Sequence, residues 1–222
     1  MTTFLLVFTA LFSIINPITS AFIFLSATAG PLEPVRRQLA QWITIHCFLI
    51  LAASLYVGAY VLSFFGISLP VLRVAGGLII AMSAWRMLNA PDHGEAERSA
   101  AVASLPPDAA LSRLAFYPLA MPLTTGPGTI SVAVSLGANR PHGFGPPLVS
   151  FFLQSIAATI LVCALILLFY RHADRMARLI GPTGTAVVVR LTSFLLFCIG
   201  IQVLWTGVAE LLTGLPGSAL PA

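Results

Sequence analysis

Long apolar blocks constrain this chain more than any other feature. Six can be placed, at 4–29, 38–64, 69–88, 113–138, 146–170 and 183–212. An α-helix rises about 1.5 Å per residue, so roughly 20 residues cross the hydrocarbon of a bilayer. Every block reaches that length. The chain is 58% hydrophobic and 8% charged over 222 residues, whereas a soluble domain carries roughly 25% charged residues. A transmembrane β-barrel would show ~10-residue segments of alternating polarity, and these blocks are continuous. The predicted class is an all-α membrane protein of six transmembrane helices in one integral domain, 1–222, with the lipid bilayer as its first partner. The stretch "MTTFLLVFTALFSIINPITSAFIFLSATAG" has no basic leader and outruns a signal sequence, so it is expected to be a retained span.

The net charge of +4 comes from eleven arginines and no lysine. In a membrane chain such a balance reports topology rather than a nucleic-acid partner. With the N-terminus outside, Arg36, Arg37, Arg86, Arg98, Arg113, Arg171, Arg175 and Arg178 fall inside, against Arg140 alone outside. The expected localisation is a bacterial inner membrane, crossed many times, with both termini outside. The "YRHADRMARLIG" segment (170–181) reads as an amphipathic turn at the inner lipid surface. The cysteines Cys47, Cys163 and Cys198 sit in apolar blocks and match no metal motif.

An internal repeat is legible. "NPITS" (16–20) resembles "MPLTT" (121–125), and "FGISLPVLRVAGG" (65–77) resembles "IGPTGTAVVVRLTS" (180–193). Three spans per half is an odd number, so the second half is expected upside down. That gives repeat 1 over 1–90, a polar cytoplasmic linker over 91–112, and repeat 2 over 113–222. Inverted repeats of this kind recur in secondary transporters, with substrate near the midplane.

Both halves carry a helix breaker near the centre of their first span. Asn is a strong N-cap and Pro suits the first helical position, so Asn16-Pro17 reads as the capped start of a second half-helix. "MPLTTGPGTIS" offers Pro122 and then Gly126-Pro127-Gly128, a second cap-and-start pair. Irregular backbone at membrane depth is tolerated where it lines a cavity or is buried in protein. A half-helix start attracts a carboxylate, and the carbonyls freed before it suit Na⁺ or an ammonium. Thr19, Ser20, Thr124, Thr125 and Thr129 add hydroxyls at the same depth. The expected site is a small cage for a small zwitterion. The competing reading is a pair of proline kinks whose hydroxyls re-satisfy the backbone.

No carboxylate is central to a span. Glu33, Asp92, Glu95, Glu97, Asp108, Asp174 and Glu210 all lie in loops or at span ends, which speaks against a carboxylate proton relay or divalent-metal transport. Arg73 and Arg190 lie a turn or two inside spans 3 and 6. They are read first as snorkelling to the interface, and second as attracting an anionic group. His46 and Gln154 occupy corresponding places in spans 2 and 5 and read as interhelical hydrogen-bonding groups. These four are the gating or coupling candidates. No Asp, Glu, His and Ser or Cys cluster converges at one depth, so no enzyme is expected. No phosphate-binding loop points to an ATP-driven pump.

The segments "NPITSAFIFLSATAG", "FGISLPVLRVAGGLIIAMSAWRML", "PLAMPLTTGPGTIS" and the stretch from Arg190 to Gly207 together resemble the MarC family of bacterial inner-membrane proteins. The resemblance covers nearly the whole chain, and the P-x-x-x-GPG of span 4 is its most specific part. Many members carry Asp-Pro in span 1; this chain has Asn16-Pro17, so coupling through a span-1 carboxylate is left open. The resemblance implies six spans, a grouping with LysE-type exporters, and kinship with archaeal transporters of small neutral amino acids. Carried over, Asn16, Pro17, Thr19, Pro122, Gly126, Pro127 and Gly128 would line the site. The expected function is a secondary transporter of small neutral amino acids or similar zwitterions. It would need no cofactor beyond a coupling Na⁺ or H⁺, and a homo-oligomer is left open. The alternative is a non-transport membrane protein with a structural, assembly or regulatory role.

Overall fold

The computed structural model describes residues 2–28, 33–89, 115–141 and 145–213. These are helical almost throughout, and no strand occurs among them. In order they are α1 Thr2–Ile15, α2 Pro17–Ala27, α3 Glu33–Tyr56, α4 Gly58–Phe64 and α5 Leu69–Leu88, then α6 Ala115–Thr124 and α7 Pro127–Ala138. A last helical run, Pro146–Thr213, bends at Gly181, whose φ of 74° and ψ of 171° only glycine adopts readily. The bend divides it into α8 Pro146–Gly181 and α9 Thr183–Thr213.

Five helices are long and apolar enough to cross a membrane: Thr2–Leu25, Val35–Tyr56, Leu69–Leu88, Pro146–Gly181 and Thr183–Thr213. The predicted fourth span is divided into α6 and α7, and α7 with its 12 residues is too short to cross alone. Predicted span 2 splits at Val57 into α3 and α4. Helix α8 continues through the arginine-rich 170–181 segment, where Arg171, Arg175 and Arg178 are exposed. The expected linker, 91–112, lies outside the described residues, as do Arg98 and Arg113.

The side chains form one shared apolar core with a helix pair packed against it. Leu11 of α1, Phe24 of α2, Ile43 and Leu51 of α3, Leu119 of α6 and Ile166 of α8 share one apolar core. Polar ties reinforce it. Phe4 N donates to Gln154 Oε1 at 3.2 Å, and Arg36 pairs with Asp174 at 2.6 Å. Helices α5 and α9 form the pair, and none of their residues belongs to that core. They meet backbone to backbone through glycine: a Cβ placed on Gly77 would lie 2.7 Å from Gly200 O, and one on Gly200 would lie 2.5 Å from Ala81 N. Small residues allow this close approach where lipid gives no hydrophobic drive between helices. An ion pair from Arg73 to Glu210 closes the same pair of helices. Outward, α5 and α9 present Leu78, Met82, Phe194 and Trp205, all exposed, a surface suited to lipid.

Candidate functional site

Both sequence-predicted breaks are present, and they differ in kind. At Asn16 the break is a single residue with φ 46° and ψ 70°. Asn is among the few residues that accept this left-handed conformation. Its N–H still reaches Phe12 O at 2.9 Å and its carbonyl still accepts from Ser20 N at 3.0 Å, so the ladder continues on both sides. Its Oδ1 caps α2 through a long bond from Thr19 N, 3.5 Å, with Pro17 in the first turn. Span 4 opens further. Tyr117 and Met121 are extended inside α6, and its turns are of the wide i→i−5 type, as in Thr125 N to Ala120 O at 2.8 Å. Gly126, extended at φ −74° and ψ 172°, then precedes Pro127 at the start of α7, with no side chain capping that start.

The carbonyls released at these breaks are covered by nearby hydroxyls. Ser20 Oγ donates to Ile15 O at 2.7 Å. Thr124 Oγ1 donates to Leu119 O at 2.9 Å, and Thr125 Oγ1 to Ala120 O at 2.9 Å. Thr124 also meets the buried Tyr170 hydroxyl at 2.7 Å, and the Tyr170 ring stacks on Phe24 with centroids 4.5 Å apart. This is the backbone repair that proline kinks in membranes require. It leaves those carbonyls less available to a ligand.

Between the bundle and the α5–α9 pair lies a cavity of about 310 Å³. Of the sequence-predicted residues, Asn16, Thr19 and Ser20 line it from the first break. Thr124, Gly126, Pro127, Gly128 and Thr129 line it from the second. A hydroxyl contact between Thr19 and Thr192 joins α2 to α9 at its wall. Pro17 is buried beside the cavity without lining it, and Thr125 turns away toward Cys47 Sγ, 3.8 Å off. Pro122 belongs to α6, and its side chain is outside the described set.

None of the four gating or coupling candidates lines the cavity. Arg73 is held by Glu210 and by Ser135 Oγ, which accepts from Nε at 2.8 Å. Gln154 receives the α1 N-terminus and donates to Ser150 Oγ at 2.7 Å. His46 sits between the Trp42 and Phe116 rings, its Nδ1 buried without a hydrogen-bond partner among the described residues. Arg190 is exposed on α9.

The α5–α9 pair contributes residues that the motifs did not single out as site residues: Ser83, Arg86 and Met87 from α5, with Thr192 and Ser193 from α9. A helical period would have found the first set. Ile79, Ile80, Ser83, Arg86 and Met87 form one stripe with the spacing of a single helix face. In sequence, Arg86 counts only as one more inside-loop arginine.

Residues 1–212 match the MarC family of integral membrane proteins. The chain is 33% identical over 204 residues to "UPF0056 inner membrane protein MarC" of Salmonella typhimurium, covering 89% of this chain and 90% of that protein. The protein of that name from Citrobacter koseri is 34% identical over 205 residues. The one from Escherichia coli O1:K1 / APEC is 33% identical over 210 residues. Both alignments again cover 89% of this chain and 90% of the relative. No solved structure matches. The relatives' names and the five apolar helices fit a multi-pass inner-membrane protein. The chain belongs to the MarC family of integral membrane proteins.

Proposed function

We propose that this protein is a secondary transporter of small neutral amino acids or similar zwitterions, working by alternating access. One observation carries the reading: both helix breaks line a single cavity, carrying Asn, Ser and Thr side chains, that lies between the shared-core bundle and the α5–α9 pair. At about 310 Å³ the cavity is at the small end of ligand pockets. A helix pair that stands outside the shared core can rock against the bundle without unpacking that core, as alternating access requires. The moving units on this reading are the shared-core bundle and the α5–α9 pair. Each draws helices from both predicted repeats, so the inverted 1–90 and 113–222 halves would set the symmetry of the motion rather than its rigid parts. Both termini outside, no catalytic activity, and Na⁺ or H⁺ as the coupling ion belong to the same proposal.

Counterflow of labelled alanine in proteoliposomes tests it. Thr129→Val removes a cavity hydroxyl without adding bulk and is expected to cut counterflow by about 5- to 150-fold, given ~1–3 kcal/mol for an unmatched polar contact. Gly128→Leu is a poorer probe, because an added Cβ would press on Ile80 Cγ1 and Cδ1. If wild-type protein gives no counterflow for any small solute, the reading fails in favour of a structural or regulatory role.

A further inference from the structure

The cavity's charges are one-sided. Among the described residues, Arg86, exposed at the cavity's edge, is the single ionisable side chain that lines it, and no carboxylate does. Three arginines of the described residues are engaged otherwise: Arg36 with Asp174, Arg73 with Glu210, and Arg140 over the Tyr60 ring. Arg86 has no acidic partner among the described residues. Its place in the last turn of α5 suits a cation, because the helix dipole is negative there.

A second feature has the same sign. The first turn of α7 has no side-chain cap, and Gly126, Gly128 and Thr129 of that turn all line the cavity. Thr129 is only 4% exposed and lines the cavity. Main-chain acceptors at the breaks are already engaged in part. Ile15 O and Leu119 O already receive Ser20 and Thr124, and Gly128 O receives Ser131 Oγ at 2.9 Å.

We propose that the cavity recognises its ligand through a carboxylate, with Arg86 as the specificity-determining residue and the α7 first turn as the second donor set. The ligand class is a small monocarboxylate, for which an amino group is optional. The proposal rests on the reading of this cavity as a substrate site, and it separates carboxylates from amines within it. A guanidinium gives a carboxylate paired, charge-assisted hydrogen bonds that no neutral group replaces.

The test is equilibrium binding to the full chain in a neutral detergent without phospholipid, using alanine, propionate and alaninamide as probes. In the wild type, propionate is expected to bind within about tenfold of alanine, and alaninamide at least about tenfold more weakly. Arg86→Gln should weaken alanine and propionate by about tenfold or more and leave alaninamide unchanged, while Arg86→Lys recovers part of the loss. Arg140→Gln serves as the matched control and should bind as the wild type does. Alaninamide binding as tightly as alanine overturns the proposal, as does wild-type propionate affinity in Arg86→Gln or no propionate binding at all. Arg86-dependent propionate binding in a protein without counterflow supports the carboxylate site and refutes transport.

Discussion

The pairing of α5 with α9 makes Gly77→Ala an informative perturbation. A Cβ on Gly77 would sit 2.7 Å from Gly200 O and 2.8 Å from Leu204 Cα, and closer still to Leu204 N. Ordinary heavy-atom contact is about 3.5–4.0 Å, so the two axes must part by roughly 1 Å. All three obstructing atoms are main chain, and no rotamer change relieves them. Overpacking of this kind costs about 1–3 kcal/mol, and the upper end applies where only backbone can yield. Alanine returns up to about 1 kcal/mol of helix propensity, leaving a net loss near 2 kcal/mol. For a chain of this size that lowers the melting midpoint by roughly 4–8 °C. The assay is thermal melting of the detergent-solubilised protein followed by size exclusion. Gly145→Ala is the control, since its nearest neighbour would be Pro147 Cδ at an ordinary 3.6 Å. Gly200→Ala should cost a similar amount, and the double variant less than the sum, because one separation of the helices relieves both clashes. If Gly77→Ala melts at or above the wild type, α5 and α9 are not in backbone contact, and the helix-pair description of the fold is wrong.

Two further outcomes follow from the breaks. Asn16→Gly keeps the left-handed φ and should lose only a few tenths of a kcal/mol, whereas Asn16→Ala loses both cap and conformation, at about 2 kcal/mol; equal melting points for the two would refute the cap. Thr124→Val removes the 2.7 Å partner of the buried Tyr170 hydroxyl and the donor to Leu119 O and should cost about 1–3 kcal/mol, more than Tyr170→Phe, after which Thr124 still donates to Leu119 O; the reverse order of melting midpoints would refute that bond.

Much of the architecture was legible because its signals are local. Apolar block length gives five of the six expected spans, and Asn16-Pro17 and Gly126-Pro127 give the caps, through rules that operate within four residues. The structure puts Asn16 and Gly126 at the capping positions and Pro17 and Pro127 in the first turns that follow. The unwinding around 121–126 was likewise readable from its prolines and glycines. Side-chain roles were less so. Arg73 looked like a lone charge in a span, but its partner Glu210 is 137 residues away and no local pattern links them. Arg86 looked like a loop arginine, because only the fold decides which face of α5 meets a cavity.

The sequence by itself determined that this chain crosses a membrane as helices, where two of those helices break, and which residues cap the breaks. These are consequences of backbone hydrogen bonding and of hydrophobicity along the chain, and both are carried by neighbouring residues. Tertiary structure alone decided that α5 and α9 stand outside the shared core, that hydroxyls cover Ile15 O, Leu119 O and Ala120 O at the breaks, and that Arg86 lines the cavity between the bundle and the helix pair. Those outcomes depend on close approach between residues far apart in sequence, where a missing Cβ on Gly77 or Gly200 sets the spacing of whole helices.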